Sequence, residues 1–179
     1  MDYYLKKQML ALVNKDDQIV GQAEKWEAHK KALLHRAFTV VLTYKNQYVV
    51  QDRKHPVFDH NYDLSFSSHQ IYIKDELQDD LTAIFAALER EWNVGKSGLL
   101  IPPIKLGTIY YKAKDPMSEF SDHEIDYIYK ADLSTLPDPN KKFAYGYFLA
   151  DRKELISPTS SFSKNFAPWV HEMIKNKVF

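Results

Sequence analysis

Apolar and β-branched residues come in short runs along this chain, set apart by polar turns, and few stretches carry the spacing of a helix. Met9–Val13, the turn Asn14–Asp17 and Gln18–Gln22 read as a first hairpin. Ala37–Tyr44 (AFTVVLTY) is a buried strand that Lys45-Asn46 turns into a second hairpin with Gln47–Arg53. Leu64–Ser67 is a short strand with His69 just past its end. Asp79–Trp92 is the clearest helix: Leu81, Ile84, Phe85, Leu88 and Trp92 recur at helical spacing, Asp79 and Asp80 suit its positive end, and Asn93 and Gly95 offer a stop. Leu106–Ala113 and Glu124–Ala131 are further strands joined by a polar loop, Lys114–Asp122. A last strand, Ala144–Ala150, leads into one helical turn at Asp151–Leu155. Pro168–Lys177 closes the chain as an amphipathic helix with Val170, Met173 and Ile174 on one side.

Strands, a central helix, more strands and a terminal helix make a mixed α/β or α+β sandwich built on hairpins rather than regular βαβ units. No repeat and no linker divides it, so residues 1–179 read as one domain.

Composition narrows the chemistry. Lys and Arg number 24 and so do Asp and Glu, which leaves no basic excess for a nucleic-acid partner. There is no cysteine, hence no disulfide, thiolate zinc site or thiol nucleophile. No segment reaches the roughly 18 apolar residues of a membrane span, and the run Met9–Val13 is too short for a signal peptide. A cytoplasmic protein with no membrane partner is expected. With five glycines and no Gly-rich loop, any phosphate is held by side chains and metal.

The candidates for such chemistry are His29, His35, His69 and the triplet Asp122-His123-Glu124. All are divalent-metal ligand types. Asp122 and Glu124, two apart on an extended segment, project to one face and can reach one ion. Read alone, His29 and His35 are better taken as surface residues and the triplet as a solvated loop. The neighbouring sequence decides between them.

That neighbourhood contains Glu24-Lys-Trp-Glu-Ala-His29, Leu34-His-Arg-Ala-Phe38, the hairpin ending in Arg53, and Ser67-Ser-His69. Further on come Tyr110-Tyr-Lys-Ala-Lys-Asp-Pro116, Asp122-His-Glu124 and Phe166-Ala-Pro-Trp169. Together, and in this order over nearly the whole chain, they resemble the type 1 isopentenyl-diphosphate isomerases of the Nudix superfold. The resemblance implies an α/β/α Nudix sandwich with a mixed sheet. It implies a divalent metal, Zn, Mn or Mg, held by His29, His35, His69, Asp122 and Glu124. Glu124 would be the acid-base group, hydrogen-bonded by Tyr111, and Lys25 and Arg53 would grip a small-molecule diphosphate bridged by a second Mg.

Three features depart from the family pattern. Ser67 stands where the family has a cysteine that works with the glutamate, and an alkanol is far less acidic than a thiol that titrates near pH 8.5. Lys164 falls at the position of a tryptophan whose ring stabilises the carbocation. On the central helix Glu89 survives, while Trp92 and Asn93 replace the paired acids of a Nudix hydrolase. Three readings follow: an isomerase-like enzyme moving the double bond of a small prenyl diphosphate, a Nudix-type hydrolase of a nucleoside or prenyl diphosphate, and a non-catalytic metal-binding protein. Oligomeric state is not encoded in any of these features.

Overall fold

The computed structural model describes residues 3–157 and 159–179. Strands β1 (Met9–Val13) and β2 (Ile19–Glu24) form the first hairpin, its turn pinned by Asn14 Oδ1, which accepts from the Asp16 and Gln18 amides. Glu24 then caps a helix absent from the sequence reading, α1 (Lys25–Lys30), accepting from the Trp26 amide at 2.8 Å and the Glu27 amide at 3.0 Å. The second hairpin joins β3 (His35–Tyr44) to β4 (Gln47–Arg53). Its Lys45 and Asn46 lie at φ 47° and 68°, the two left-handed residues that a tight hairpin turn requires.

Two short strands follow, β5 (Tyr62–Asp63) and β6 (Phe66–Ser68), so the expected single strand at 64–67 is broken. Leu64 and Ser65 form the break, with the Ser65 hydroxyl donating to the Val49 carbonyl of β4. A small hairpin, β7 (Tyr72–Ile73) and β8 (Glu76–Leu77), precedes α2 (Asp80–Trp92). Then come β9 (Ile104–Lys114), β10 (Ser121–Asp132), β11 (Ala144–Ala150), α3 (Arg152–Ile156) and α4 (Pro168–Asn176). Asp122, expected in the loop before β10, is inside the strand, because the β9–β10 ladder runs out to the pair Ser121–Lys114.

The large sheet has nine strands and is mixed. Its centre is β3, which runs parallel to β10 from the pair His35–Glu124 to the pair Thr43–Asp132, while β10 pairs antiparallel with β9. Alternation along β3 and β10 assigns the two faces. Phe38, Val40, Leu42, Ile125, Tyr127 and Tyr129 pack with Ile84, Leu88 and Trp92 of α2. Val41, Ile128, Ile109 and Tyr111 pack with Trp169, Val170 and Met173 of α4. One helix on each face gives the α/β/α sandwich. Among the described residues no helix is long and apolar enough to cross a membrane.

The buried line of α2 is Ala83, Ile84, Ala87, Leu88, Glu91 and Trp92, not the line through Leu81. Leu81 lies in the first turn and is 41% exposed, while the two alanines let the helix settle close to the sheet. Asp79 caps the helix through the Thr82 amide, and Asn93 ends it in the left-handed conformation.

These two leucines make the packing testable. Leu88→Ala should cost about 2–5 kcal/mol in urea unfolding, and Leu81→Ala within about 0.5 kcal/mol. Equal costs would mean that α2 is rolled differently on the sheet.

Candidate active site

The pairings of β10 with its two neighbours place the chemistry. Glu124 is opposite His35 on β3 and opposite Tyr111 on β9, so three polar side chains form a row across adjacent strands on the α4 face. Two residues along, Asp126 and Asp122 share that face of β10. His123 points the other way, 2.9 Å from the Ala32 carbonyl and 3.0 Å from the Tyr110 hydroxyl, and has no part in the site.

Three imidazoles converge on Glu124. His35 opens β3, His69 follows β6, and His29 comes from α1 rather than from a strand end. Lys25 and His29, four apart, are both on the buried side of that helix. His35 Nε2 and His69 Nε2 each lie 3.2 Å from Glu124 Oε1 and 3.3 Å from one another. Ligand atoms at bond lengths of about 2.1 Å from one ion would be roughly 3.0 Å apart in an octahedral site and roughly 3.4 Å in a tetrahedral one. The spacing therefore suits a shared cation. The ligand atoms of His29, His35, His69 and Glu124 all fall within 4.8 Å of one another.

Asp122, grouped with these four in the sequence reading, stands outside the cluster. It touches it through His29, with Oδ1 3.5 Å from His29 Nε2. That oxygen is buried and has no hydrogen-bond partner among the described residues, so it could take a ligand position or accept from a metal-bound group. The other ring nitrogens of two histidines are fixed from behind. His29 Nδ1 is 2.7 Å from the Lys25 carbonyl and His35 Nδ1 2.7 Å from the Leu33 carbonyl, which leaves each Nε2 lone pair facing the centre.

The electrostatics agree with a cation site. Burial, then the neighbouring His35 and His69, holds His29 well below its usual range. Burial pulls His69 down to about 4 against the pull of Glu124. Both rings are thus neutral at neutral pH, with a lone pair available. Burial alone would raise Glu124, but its contacts with His35 and His69 override it and hold the carboxylate well below the ordinary range. Asp122 moves the opposite way, raised by burial and then by the charge of Glu124. Tyr111 is buried and raised for the same two reasons, so it stays a donor, giving its proton to Glu124 Oε2 at 2.5 Å.

Beside the cluster is a small cavity of about 30 Å³, walled by Ser67, Tyr111, Glu124, Trp169, Lys25 and Arg53 among others. Lys164 is not part of that wall. It sits exposed on the short turn before α4, and the indole in the cavity belongs to Trp169, the first full residue after the N-terminal proline of α4. Trp169 is buried, yet its edge and face line the site, with the Arg53 guanidinium 4.7 Å from the ring centroid.

Three cations collect at the mouth. Lys25 Nζ and the Arg90 guanidinium lie 5.6 and 4.1 Å from the same Tyr3 ring centroid, and Arg53 Nε and Arg90 Nε are buried without partners. Burial first, then the charges of Arg90 and Arg53, lowers Lys25 to about 8. Arg90 was not singled out in the sequence, where it stands beside Glu91. In the fold that pair is at 2.6 Å with Glu91 buried, and Glu89 is at the solvent face. His55 lines the same cavity, whereas Lys54 opens onto a separate one with Lys142 and Tyr145. Arg152 binds the Phe179 carbonyl instead of reaching the site, and Lys153 is exposed.

Comparison with known proteins follows the same lines. No family model matches the chain. Isopentenyl-diphosphate Delta-isomerase 1 of Mesocricetus auratus is 28% identical over 193 residues, covering 98% of this chain and 84% of that protein. Isopentenyl-diphosphate delta-isomerase 2 of Homo sapiens is 28% identical over 189 residues, covering 97% and 83%. Among solved structures, DR0079 from Deinococcus radiodurans superposes with a TM-score of 0.68 at 17% identity, over 94% of this chain and 98% of that one. A MutT NUDIX hydrolase from Burkholderia pseudomallei gives 0.53 at 11% identity, over 79% and 96%. The sandwich and its mixed sheet are thus a Nudix fold. Within that class, the chain is similar in sequence to isopentenyl-diphosphate isomerases over nearly its whole length.

The lowered Lys25 carries a prediction. Below about pH 8 its ammonium is already charged, whereas above that pH a proton must be taken up for it to face an anion. Inorganic diphosphate, followed by Trp26 fluorescence, should bind about tenfold more weakly per pH unit above that point. Lys25→Gln should remove this slope. An unchanged slope in the variant would assign it to another group.

Proposed function

We propose that this chain is a metal-dependent isopentenyl-diphosphate isomerase-like enzyme that moves the double bond of a small prenyl diphosphate by proton transfer. One observation carries the reading: Glu124, held by two imidazoles on one oxygen and by the Tyr111 hydroxyl on the other, shares a cavity with Ser67 and the Trp169 ring. Two proton-handling groups and an aromatic wall are what a reaction through a carbocation needs.

Residues His29, His35, His69 and Glu124 would hold the ion, with Asp122 completing or supporting the set. Three imidazoles favour zinc or a comparable transition ion over magnesium, which prefers oxygen ligands and would instead accompany the diphosphate. Bound there, the ion would supply positive charge that orients Glu124 and tunes its acidity. Glu124 exchanges the proton at one end of the double bond, with Tyr111 tuning the carboxylate and holding its orientation. Trp169 faces the developing cation with a ring already used to a guanidinium. Lys25, Arg53 and Arg90 neutralise the diphosphate at the mouth.

The hydrolase reading finds less support. α2 offers Glu91, which is committed to Arg90, and Glu89, which is in solvent.

Incubation with isopentenyl diphosphate in D₂O should place deuterium in the allylic product. Ser67→Ala should slow that exchange about 10²–10⁴-fold with metal content by elemental analysis unchanged. Release of phosphate or diphosphate without exchange would replace this reading with the hydrolase one. Silence in both assays with metal bound would leave a non-catalytic binder.

A further inference from the structure

Ser67 is a poor stand-in for a thiol, and the structure holds a residue that answers this. Asp63, at the end of β5, is fully buried. Its Oδ2 accepts from Ser67 Oγ at 2.9 Å and from Arg53 Nη1 at 3.0 Å. Its Oδ1 accepts from Trp169 Nε1 at 2.8 Å and from the Leu64 amide at 2.7 Å. One carboxylate thus ties together the hydroxyl, a diphosphate-facing cation and the aromatic wall. The neighbouring hydroxyl, Thr39 Oγ1, lies 2.8 Å from Ser67 Oγ and gives its proton to Asp126, so the Ser67 proton is left for Asp63.

Building on the isomerase reading, we propose that Asp63 is the positioning residue that makes Ser67 a proton acceptor. A neutral hydroxyl is a very weak base. Coupled to a carboxylate it passes its own proton on as it takes another, the logic by which an adjacent base activates a serine. In the deprotonation half of the reaction, the C–H bond beside the cationic carbon breaks and its electron pair becomes the new double bond. That proton goes to Ser67 Oγ, and the Ser67 hydroxyl proton goes to Asp63 Oδ2. The Glu124 side has given one proton to the terminal carbon, so the substrate gains one and loses one. Asp63 returns its proton to solvent and Glu124 regains one from it. The Ser67–Asp63 pair replaces a side chain able to exchange a proton unaided.

The test is a double-mutant cycle with Ser67→Cys, read as kcat for deuterium exchange at saturating substrate. With Ser67, Asp63→Asn should lower kcat about 10²-fold. In the Ser67→Cys background, where the thiol exchanges its own proton, the same change should cost only a few-fold. Equal losses in the two backgrounds would show that Asp63 merely holds Arg53 and Trp169, and would overturn the proposal while leaving the isomerase reading intact. Should Asp63→Asn fail to fold with Arg53 unpaired, Asp63→Asn joined to Arg53→Gln is compared with Arg53→Gln alone in both backgrounds, with the same two outcomes. Absence of exchange in the unaltered protein would instead sink the isomerase reading, and this role with it.

Discussion

The parallel pairing of β3 with β10 is the constraint on which the site depends. It sets His35 directly beside Glu124, two chain segments separated by almost ninety positions in sequence, and β9 adds Tyr111 on the far side. A slip of one residue would turn Glu124 toward α2 and bury it among Phe38, Val40 and Tyr127. The apolar alternation of these strands is what forbids that slip. Packing of the core and placement of the carboxylate are therefore one and the same requirement.

Much of this was legible along the chain. The two hairpins, the Gln47–Arg53 and Ala144–Ala150 strands and both long helices follow from runs, turns and spacing. The three histidines and Glu124 were legible only with their flanking residues, because imidazoles scatter at random through any chain of this size. What spacing could not give was α1. Its six residues are too few for a periodic signal, and it exists through the Glu24 cap and burial of Lys25 and His29. Lys164 was misplaced for a related reason. The segment before α4 lacks periodicity, so nothing local fixed which side chain reaches the cavity. Asp63 and Arg90 were not legible because part of their setting comes from partners distant in sequence, Trp169 for one and Ser68 for the other.

The site spends stability to gather its groups. Asp122, Glu124 and Asp126 lie on one buried face, and like charges this close repel unless protons, cations or imidazoles intervene. Asp126 is raised well above the carboxylate range by burial and then by Glu124, and its Oδ2 accepts from the Thr39 hydroxyl. Arg53 neutralises Asp63 in the same layer. Such a concentration of buried polar groups is poor engineering for a core and sensible for a catalytic centre that must hold charge away from water.

The central claim is that His29, His35, His69 and Glu124 share one divalent ion. Anomalous diffraction from zinc-soaked crystals, recorded on both sides of the zinc absorption edge, tests it most directly. A single edge-dependent peak within bonding distance of all four side chains is the predicted result. A peak elsewhere, or none with the imidazoles in place, would contradict it.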